Sequence, residues 1–254
     1  MELNFKQLGE GQPFIILHGL FGSLDNWMSL AKKWSENYQV WLVDQRNHGQ
    51  SPHSEDFNYK LMAEDLKEFL SENEIKDPII LGHSMGGKTA MEFAVNYPDQ
   101  LKKLIVVDIA PIKYEVHHYD IIAALEKVDL TKIESRGDAD KVLSKNIKEF
   151  GVRQFLLKNL YWESKGKLAW RFNLDVIKNN IIPISEWNIS EKQFQKSTLF
   201  IKGENSDYIK IEHASEITKR FPNYHLEVIE KAGHWVHAEN PEKFSEIVSS
   251  FMKD

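Results

Sequence analysis

The sequence predicts an α/β protein, in which a mostly parallel sheet is covered by helices on both faces. Short apolar runs alternate with amphipathic stretches along the chain. A serine flanked by glycines lies between one apolar run and a helix-like stretch, and a helix-rich segment later interrupts the alternation. At 254 residues the chain is long enough to bury a large core, and one domain is the default expectation for an α/β protein of this size.

The strands are predicted from short apolar runs that are bounded by polar or turn-forming residues. These runs cover residues 14–17, 40–43, 79–81, 104–107, 198–201 and 226–229. Because amphipathic stretches separate the runs, we expect parallel strands with helices on both sides of the sheet.

The helices are predicted from apolar residues that recur at helical spacing. The stretch 61–70 has apolar residues at Leu61, Met62, Leu66, Phe69 and Leu70. Near the C-terminus, Asn240 followed by Pro241 is a typical helix start. We expect that helix to end near Phe251 and to complete the fold.

The alternation stops between residues 112 and 196, where helical patterns dominate. We therefore predict a core formed by residues 1–111 and 197–254, with 112–196 inserted before the penultimate strand as a helical cap. This insertion is rich in aromatic residues: Phe150, Phe155, Tyr161, Trp162, Trp170, Phe172 and Trp187. Such side chains either pack the insertion onto the core or form the apolar wall of a pocket.

Composition excludes several classes of function. The net charge of −6 and the dispersed lysines make nucleic acid an unexpected partner. The chain has no cysteine, which excludes disulfides, thiolate catalysis and zinc sites built on sulfur. No predicted strand is followed by a dinucleotide-binding or P-loop glycine pattern. We expect no cofactor and no metal.

The sequence also bears on membranes and location. No apolar stretch approaches the roughly 18 residues that a membrane-spanning helix needs. The segment from Met1 to Lys6 lacks the basic and apolar regions of a secretory signal. We therefore expect a cytoplasmic protein without a membrane span.

The most informative motif is Gly82-His83-Ser84-Met85-Gly86, which follows an apolar run and precedes a helical pattern. This context is typical of a nucleophile elbow, in which glycines two residues before and after the serine allow a strained strand-to-helix turn. Such a turn raises the serine hydroxyl above the sheet. The N–H of Met85, at the start of the helix, is then a candidate donor to an oxyanion.

The candidate general base is His234, because it lies on a glycine-containing loop just after the last predicted strand. Functional groups collect beyond the carboxyl ends of parallel strands. The other histidines lie in tight motifs or in polar and helical surroundings. For His237 we expect a structural role, since no third metal ligand lies near it in the sequence.

Two aspartates are candidates for the acid that orients the histidine. Asp108 ends the strand predicted at 104–107, and Asp207 follows the strand at 198–201. In many enzymes with this elbow the acid lies three residues after a glycine such as Gly203, where this chain has Ser206. We prefer Asp108, whose alternative role is to cap a helix of the insertion. Ser206 is a candidate supporting hydrogen-bond donor.

The proposed set then follows the order Ser84, Asp108, His234, which is typical of this elbow. His234 would take the serine proton and return it to the leaving group, while Asp108 would hold the productive tautomer. The second oxyanion donor is expected in the loop after strand 14–17, with Leu20 preferred and Phe21 as the alternative.

The motifs together resemble the α/β-hydrolase superfamily, and more closely the YbfF-type bacterial esterases, over essentially the whole chain. The resemblance rests on segments in the same order: residues 17–26, Asp44 with 46–49 and 51–52, 82–88, 108–111, 170–173, 205–206 and 232–239. It implies Asp108 as the acid, with Ser206 close to the histidine. The match is looser between 113 and 151, and Asp207 beside Ser206 is a local departure.

The resemblance implies hydrolysis of carboxylic esters and acyl-CoA thioesters through an acyl-serine intermediate, beneath a helical cap. We expect a small-molecule acyl substrate and a pocket lined by Phe21, Trp170, Phe172 and Trp235. Two alternatives remain. One is a hydrolase-like binding protein with little turnover, and the other is a different chemistry on the same fold, such as carbon–carbon hydrolysis or cofactor-free peroxidation.

Overall fold

The computed structural model describes residues 1–116, 118–187 and 189–253. Its central sheet has seven strands in the order β1-β3-β2-β4-β5-β8-β9. The strands of this sheet are β1 (Phe5–Leu8), β2 (Gln12–Leu17), β3 (Tyr38–Val43), β4 (Ile79–His83), β5 (Lys103–Val107), β8 (Thr198–Gly203) and β9 (Tyr224–Ile229). A separate two-stranded sheet contains β6 (Leu160–Ser164) and β7 (Lys167–Trp170).

All neighbouring strands of the central sheet are parallel except β1, which pairs antiparallel with β3. The predicted mostly parallel sheet is therefore confirmed, and every predicted run lies within a strand. The sequence did not indicate β1, because its side chains are mostly exposed and lack a clear apolar run. Such an edge strand gives little hydrophobic signal.

The helices of the core connect these strands or follow the last of them. They are α1 (Met28–Trp34), α2 (Tyr59–Glu72), α3 (Met85–Asn96), α9 (Ala214–Arg220), α10 (Val236–Glu239) and α11 (Pro241–Lys253). The predicted start of α11 is confirmed, and the Oδ1 atom of Asn240 accepts a hydrogen bond from the N–H of Lys243 at 3.3 Å.

Two hydrophobic clusters cover the two faces of the sheet. One joins α2 and α3 to one face, with Leu104 and Val106 of β5 among its members. The other joins α1 and α11 to the opposite face, with Ile105 and Val107 of the same strand. Because successive side chains of a strand point to opposite faces, an apolar strand buried on both sides supplies both clusters.

The segment between β5 and β8, where we expect a helical cap at 112–196, is largely helical, and we refer to it as the insertion. Its helices are α4 (Tyr119–Glu126), α5 (Arg136–Leu143), α6 (Phe150–Leu157), α7 (Leu174–Asn179) and α8 (Ile181–Ser185). The expectation that this segment is helical omitted one feature, the antiparallel hairpin of β6 and β7. Much of that hairpin is exposed, so it carries no continuous apolar run.

Within the described residues, no helix is long and apolar enough to cross a membrane.

Candidate active site

Ser84 lies at a sharp turn between β4 and α3, with φ 53° and ψ −116°. This region is strained for a residue that is not glycine. The flanking glycines are required by close packing. A Cβ on Gly82 would lie 2.1 Å from the carbonyl oxygen of Gly86, and one on Gly86 would lie 2.5 Å from that of Leu17. The turn has the geometry that the sequence predicts for an elbow.

His234 and Asp108 are in direct contact, 126 residues apart in the chain. The Nδ1 atom of His234 lies 2.7 Å from Oδ2 of Asp108. The carboxylate is fully buried, while the imidazole side chain is 18% exposed at the edge of a cavity. Because the carboxylate accepts at Nδ1, the Nε2 atom of the neutral imidazole is left free to accept a proton.

Ser84 lines the same cavity as His234. Among the described residues, no hydrogen bond joins the two side chains. In enzymes without bound substrate, such contacts are often long and tighten only when substrate binds.

The other carboxylate considered from the sequence is directed away from this site. The side chain of Asp207 is 93% exposed and lies 3.5 Å from the ammonium of Lys210. Ser206, by contrast, donates its hydroxyl to Oδ2 of Asp108. Asp108 also accepts the N–H of Gly203 at Oδ1, at 3.1 Å. The structure thus brings Asp108 and Ser206 to His234, and leaves Asp207 on the surface.

The loop that carries His234 is held by groups that the sequence did not indicate. The carboxylate of Glu239 accepts the N–H groups of Gly233 at 2.7 Å and of Trp235 at 3.2 Å. From the other side, Nε2 of His83 donates to the carbonyl oxygen of His234 at 2.9 Å. Burial holds the pKa of His83 well below its usual value, so this ring remains neutral.

A further ring fixes the plane of the imidazole. Tyr208 stacks on His234 with ring centroids 4.0 Å apart. The hydroxyl of Tyr114 donates to the carbonyl oxygen of Tyr208 and accepts the N–H of Ala110. These contacts connect the beginning of the insertion to the histidine. They depend on three distant segments, so no local sequence pattern reveals them.

Two candidate oxyanion donors, Leu20 and Met85, line a cavity together with Ser84. Among the described residues, the N–H groups of Leu20 and Met85 have no hydrogen-bond acceptor. The N–H of Phe21, the alternative considered from the sequence, donates to Nε2 of His48 at 3.2 Å and is therefore engaged. The geometry favours Leu20 over Phe21 as the second donor.

Buried histidines beneath this loop hold it in place. Nε2 of His18 accepts the N–H of Gln45 at 3.0 Å, so its proton lies on Nδ1 and is donated to the carbonyl oxygen of Gly19. Burial lowers the pKa of His18 to about 4 and that of His48 to about 3. Both imidazoles therefore remain neutral hydrogen-bonding groups at neutral pH.

Two cavities of similar size meet at Ser84. The first has a volume of about 40 Å³ and is lined mainly by apolar residues and His234: Gly19, Leu20, Phe21, His83, Ser84, His118, Ile121, Val152, Phe155, Leu156, His234 and Trp235. The second has a volume of about 30 Å³, is more polar, and is lined by Leu20, Tyr59, Ser84, Met85, Lys88, Ile109, Tyr114, Glu115, His118, Ile184, Ser185 and Tyr208. We refer to them as the apolar cavity and the polar cavity.

The aromatic residues expected to line a pocket occupy two layers. Phe21 and Trp235 line the apolar cavity. Phe172 does not line it but packs edge-on against Phe21, with centroids 5.2 Å apart. Trp170 stacks in turn on Phe172 at 5.3 Å. The expectation of direct lining therefore needs correction for Trp170 and Phe172, which support the wall from behind.

His237 has the structural surroundings expected from the sequence. Its ring stacks on Trp27 with centroids 4.2 Å apart, and burial lowers its pKa to about 3. In the part of the chain that the structure describes, no group of histidine, aspartate and glutamate side chains could hold a metal ion.

The fold and this arrangement of residues define an α/β hydrolase, and comparison with known proteins agrees. The family model described as alpha/beta hydrolase fold matches residues 12–127. The chain is 41% identical to the sn-1-specific diacylglycerol lipase of Mus musculus, over 94% of this chain and 80% of that protein. It is 36% identical to Esterase YbfF of Escherichia coli, over 100% of both chains.

A solved structure is still more similar. The protein described as a marine microorganism esterase is 45% identical, with a TM-score of 0.95 over 98% of this chain and 99% of that one. The chain therefore belongs to the α/β-hydrolase family and is a homologue of the YbfF-type esterases, as its motifs predict.

Proposed function

We propose that this protein is a serine hydrolase that cleaves carboxylic esters through an acyl intermediate on Ser84. The observation that carries the proposal is the 2.7 Å contact between His234 and Asp108, at a cavity that Ser84 also lines. Relatives whose names describe esterases and lipases support the same reaction. The intact set of three residues also favours an enzyme over a hydrolase-like binding protein.

The reaction follows from the roles of the three side chains. His234 takes the proton of the Ser84 hydroxyl through Nε2 as the oxygen attacks the ester carbonyl. Asp108 holds the imidazole by Nδ1 and stabilises the imidazolium. His234 then gives the proton to the leaving alcohol, and a water molecule repeats the sequence to release the acid from Ser84.

The negative charge that develops on the carbonyl oxygen needs hydrogen-bond donors in place before the reaction. The N–H groups of Leu20 and Met85 meet this need, because neither has an acceptor among the described residues. Loss of a single oxyanion donor in comparable enzymes lowers kcat by about 10² to 10³. The buried contact between His48 and Phe21 keeps the loop of Leu20 in position.

Acyl-CoA thioesters are a second substrate class within the proposal. A thioester presents the same carbonyl carbon to Ser84, and its thiolate leaving group departs more readily than an alkoxide. No part of the proposed mechanism requires an oxygen leaving group.

The cytoplasmic location also stays a prediction, which detection of the protein in cell fractions would test.

The test is a panel of 4-nitrophenyl esters and acyl-CoA thioesters of different chain lengths, assayed with purified wild type and Ser84→Ala. We expect turnover of the esters by wild type. We expect Ser84→Ala to lower kcat by roughly 10⁴ to 10⁶, since replacing one residue of a cooperating triad lowers kcat by about that factor. Ligand binding without turnover would favour the binding protein, and a mild loss in the variant would exclude Ser84 as nucleophile.

A further inference from the structure

Lys88 is a buried cation one helical turn after Ser84 in α3. Only 2% of its surface is exposed, and it lines the polar cavity together with Ser84. Its ammonium donates to the carbonyl oxygen of Ser185 at 3.2 Å and lies 3.5 Å from that of Ile184. In the described parts of the chain, no carboxylate lies within ion-pair distance of it.

The groups around this ammonium only partly replace the stabilisation that water would give its charge. Three aromatic rings, those of Tyr59, Tyr114 and Trp187, have centroids 4.9 to 5.5 Å from the nitrogen. Burial nevertheless lowers the pKa of Lys88 to about 7. A buried cation without a counter-ion is costly, and an anion brought into the same cavity would relieve that cost.

The two cavities at Ser84 differ in which part of a substrate they suit. The leaving group must lie next to His234, which protonates it, and His234 lines the apolar cavity. The acyl chain then extends to the other side of Ser84, into the polar cavity that contains Lys88. On this basis the leaving alcohol meets an apolar wall, while the far end of the acyl chain meets a cation.

We propose that Lys88 forms a subsite for a carboxylate at the far end of the acyl chain, so that the enzyme prefers monoesters of short dicarboxylic acids with apolar alcohols. The inference deepens the proposed esterase function and rests on it. Lys88 is the fourth residue of α3, which begins directly after Ser84, so it lies about one helical turn, roughly 6 Å, further along the helix axis. Together with the small volume of the polar cavity, this closeness in the chain favours short diacids such as succinate.

The alternative role of Lys88 is purely structural. Its ammonium meets the last carbonyl groups of α8, and a cation at a helix C-terminus stabilises that helix. Under this alternative, Lys88 would anchor the insertion to the core without contacting substrate. The two roles differ in one measurable property, which is discrimination between charged and neutral acyl chains.

The test compares two esters of butanol that have nearly the same shape. Monobutyl succinate ends in a carboxylate, and butyl 4-methylpentanoate has a dimethyl group in its place. Release of butanol gives kcat/KM for each, and their ratio cancels changes that affect both alike. We expect wild type to prefer the succinate. Cleavage of the neutral ester without that preference would overturn the subsite while leaving the esterase proposal intact, and cleavage of no ester would contradict the esterase.

The substitution Lys88→Met removes the charge and keeps most of the side-chain volume. We expect it to lower the succinate-to-neutral ratio by about 10- to 100-fold, the range for loss of a charge-assisted hydrogen bond. Lys103→Met is the matched control, because Lys103 is also buried and donates to a carbonyl oxygen, that of Phe251 at 2.8 Å. The control should leave the ratio as in wild type. A ratio unchanged in Lys88→Met would make Lys88 a structural anchor.

The wild-type enzyme provides a second test that does not depend on the variant folding. The carboxylate needs the charged form of Lys88, so the ratio should fall as pH rises above about 7, the pKa of Lys88. The other titratable groups that line the cavity are Glu115, His118, Tyr59, Tyr114 and Tyr208. Burial raises the pKa of these tyrosines, which therefore stay neutral over this range.

The outcomes show whether Lys88 causes the pH dependence of the succinate-to-neutral ratio. A ratio that is constant from pH 6 to pH 9 contradicts the proposal. A pH dependence that persists in Lys88→Met belongs to a group other than Lys88 and also contradicts it. A fall in wild type that is absent from the variant supports the subsite.

Discussion

At the scale of single residues, the central feature is the carboxylate of Asp108. It is fully buried and accepts hydrogen bonds from Gly203 and Ser206, at the end of β8 and in the turn after it, and from His234, in the loop after β9. Its backbone has φ 51°, so the residue is held in the left-handed region. Such strain persists only where the surroundings fix it, and it is common at functional sites.

The first prediction concerns the identity of the acid. Asp108→Asn should lower kcat by about 10⁴, because an amide in this position favours the wrong imidazole tautomer. Asp207→Asn is the control, and it should change kcat by less than about threefold, since a surface ion pair contributes little. Steady-state kinetics of both variants on one ester provides the measurement. The reverse ranking would assign the acid to the later loop.

The sequence alone favoured Asp108 over Asp207 as the acid partner of His234, but it could not show where either side chain lies relative to the histidine. Asp108 ends an apolar strand, and this local signal correctly indicated a residue at the carboxyl edge of the sheet. The residues that hold the loop of His234 in place gave no such signal in the sequence. Glu239 resembles any helical glutamate in the sequence, and its contacts with Gly233 and Trp235 depend on how the chain turns between β9 and α11.

At the scale of elements, the insertion reaches the active site through its hairpin. Phe172, just after β7, packs against Phe21 of the loop after β2, and Asn159, just before β6, donates to the carbonyl oxygen of Phe21 at 2.7 Å. The sequence indicated the aromatic residues but not this layered arrangement. A short two-stranded sheet is stable only when it packs against other elements, so local patterns predict it poorly.

The second prediction tests that layering. Phe172→Leu should allow the ring of Phe21 to move away from the apolar cavity, and so improve kcat/KM for esters of bulky alcohols relative to methyl esters. Phe194→Leu removes the same volume from a fully buried position beside Phe221, and it is the control. A series of alcohols with one acyl group measures the effect. If both variants change the relative kcat/KM equally, Phe172 acts only as an ordinary core residue.

At the scale of the whole molecule, several buried histidines stay neutral in the folded state. Burial lowers the pKa of His18 to about 4, and those of His48 and His237 to about 3. When the chain unfolds, these imidazoles regain an ordinary pKa of about 6.5. Below that value the unfolded state binds more protons than the folded state, so acid favours unfolding.

The third prediction follows from this difference. The free energy of unfolding should be highest above about pH 6.5 and should fall by roughly 1.4 kcal/mol per pH unit for each such histidine as pH decreases toward 4. Urea unfolding midpoints between pH 7 and pH 5 measure it. A midpoint that does not change over this range would show that the buried histidines do not control acid stability.

The overall architecture was largely predictable, because the apolar strand runs and the elbow are local patterns that agree with one global fold. The docking of the insertion was not. Lys88 has an unremarkable position in the sequence after the second glycine of the elbow, and its burial results from contacts with α8, almost 100 residues later. When the surroundings of a side chain come from distant segments of the chain, its burial can be determined only from the three-dimensional structure.

The central claim is that Ser84 is the residue that becomes acylated. A fluorophosphonate that reacts with activated serines, followed by mass spectrometry of the digested protein, tests it directly. We predict one adduct on the peptide that contains Ser84, with loss of ester hydrolysis in proportion to labelling. Full hydrolytic activity in protein that is completely labelled at Ser84, or stoichiometric labelling at another residue, would contradict it.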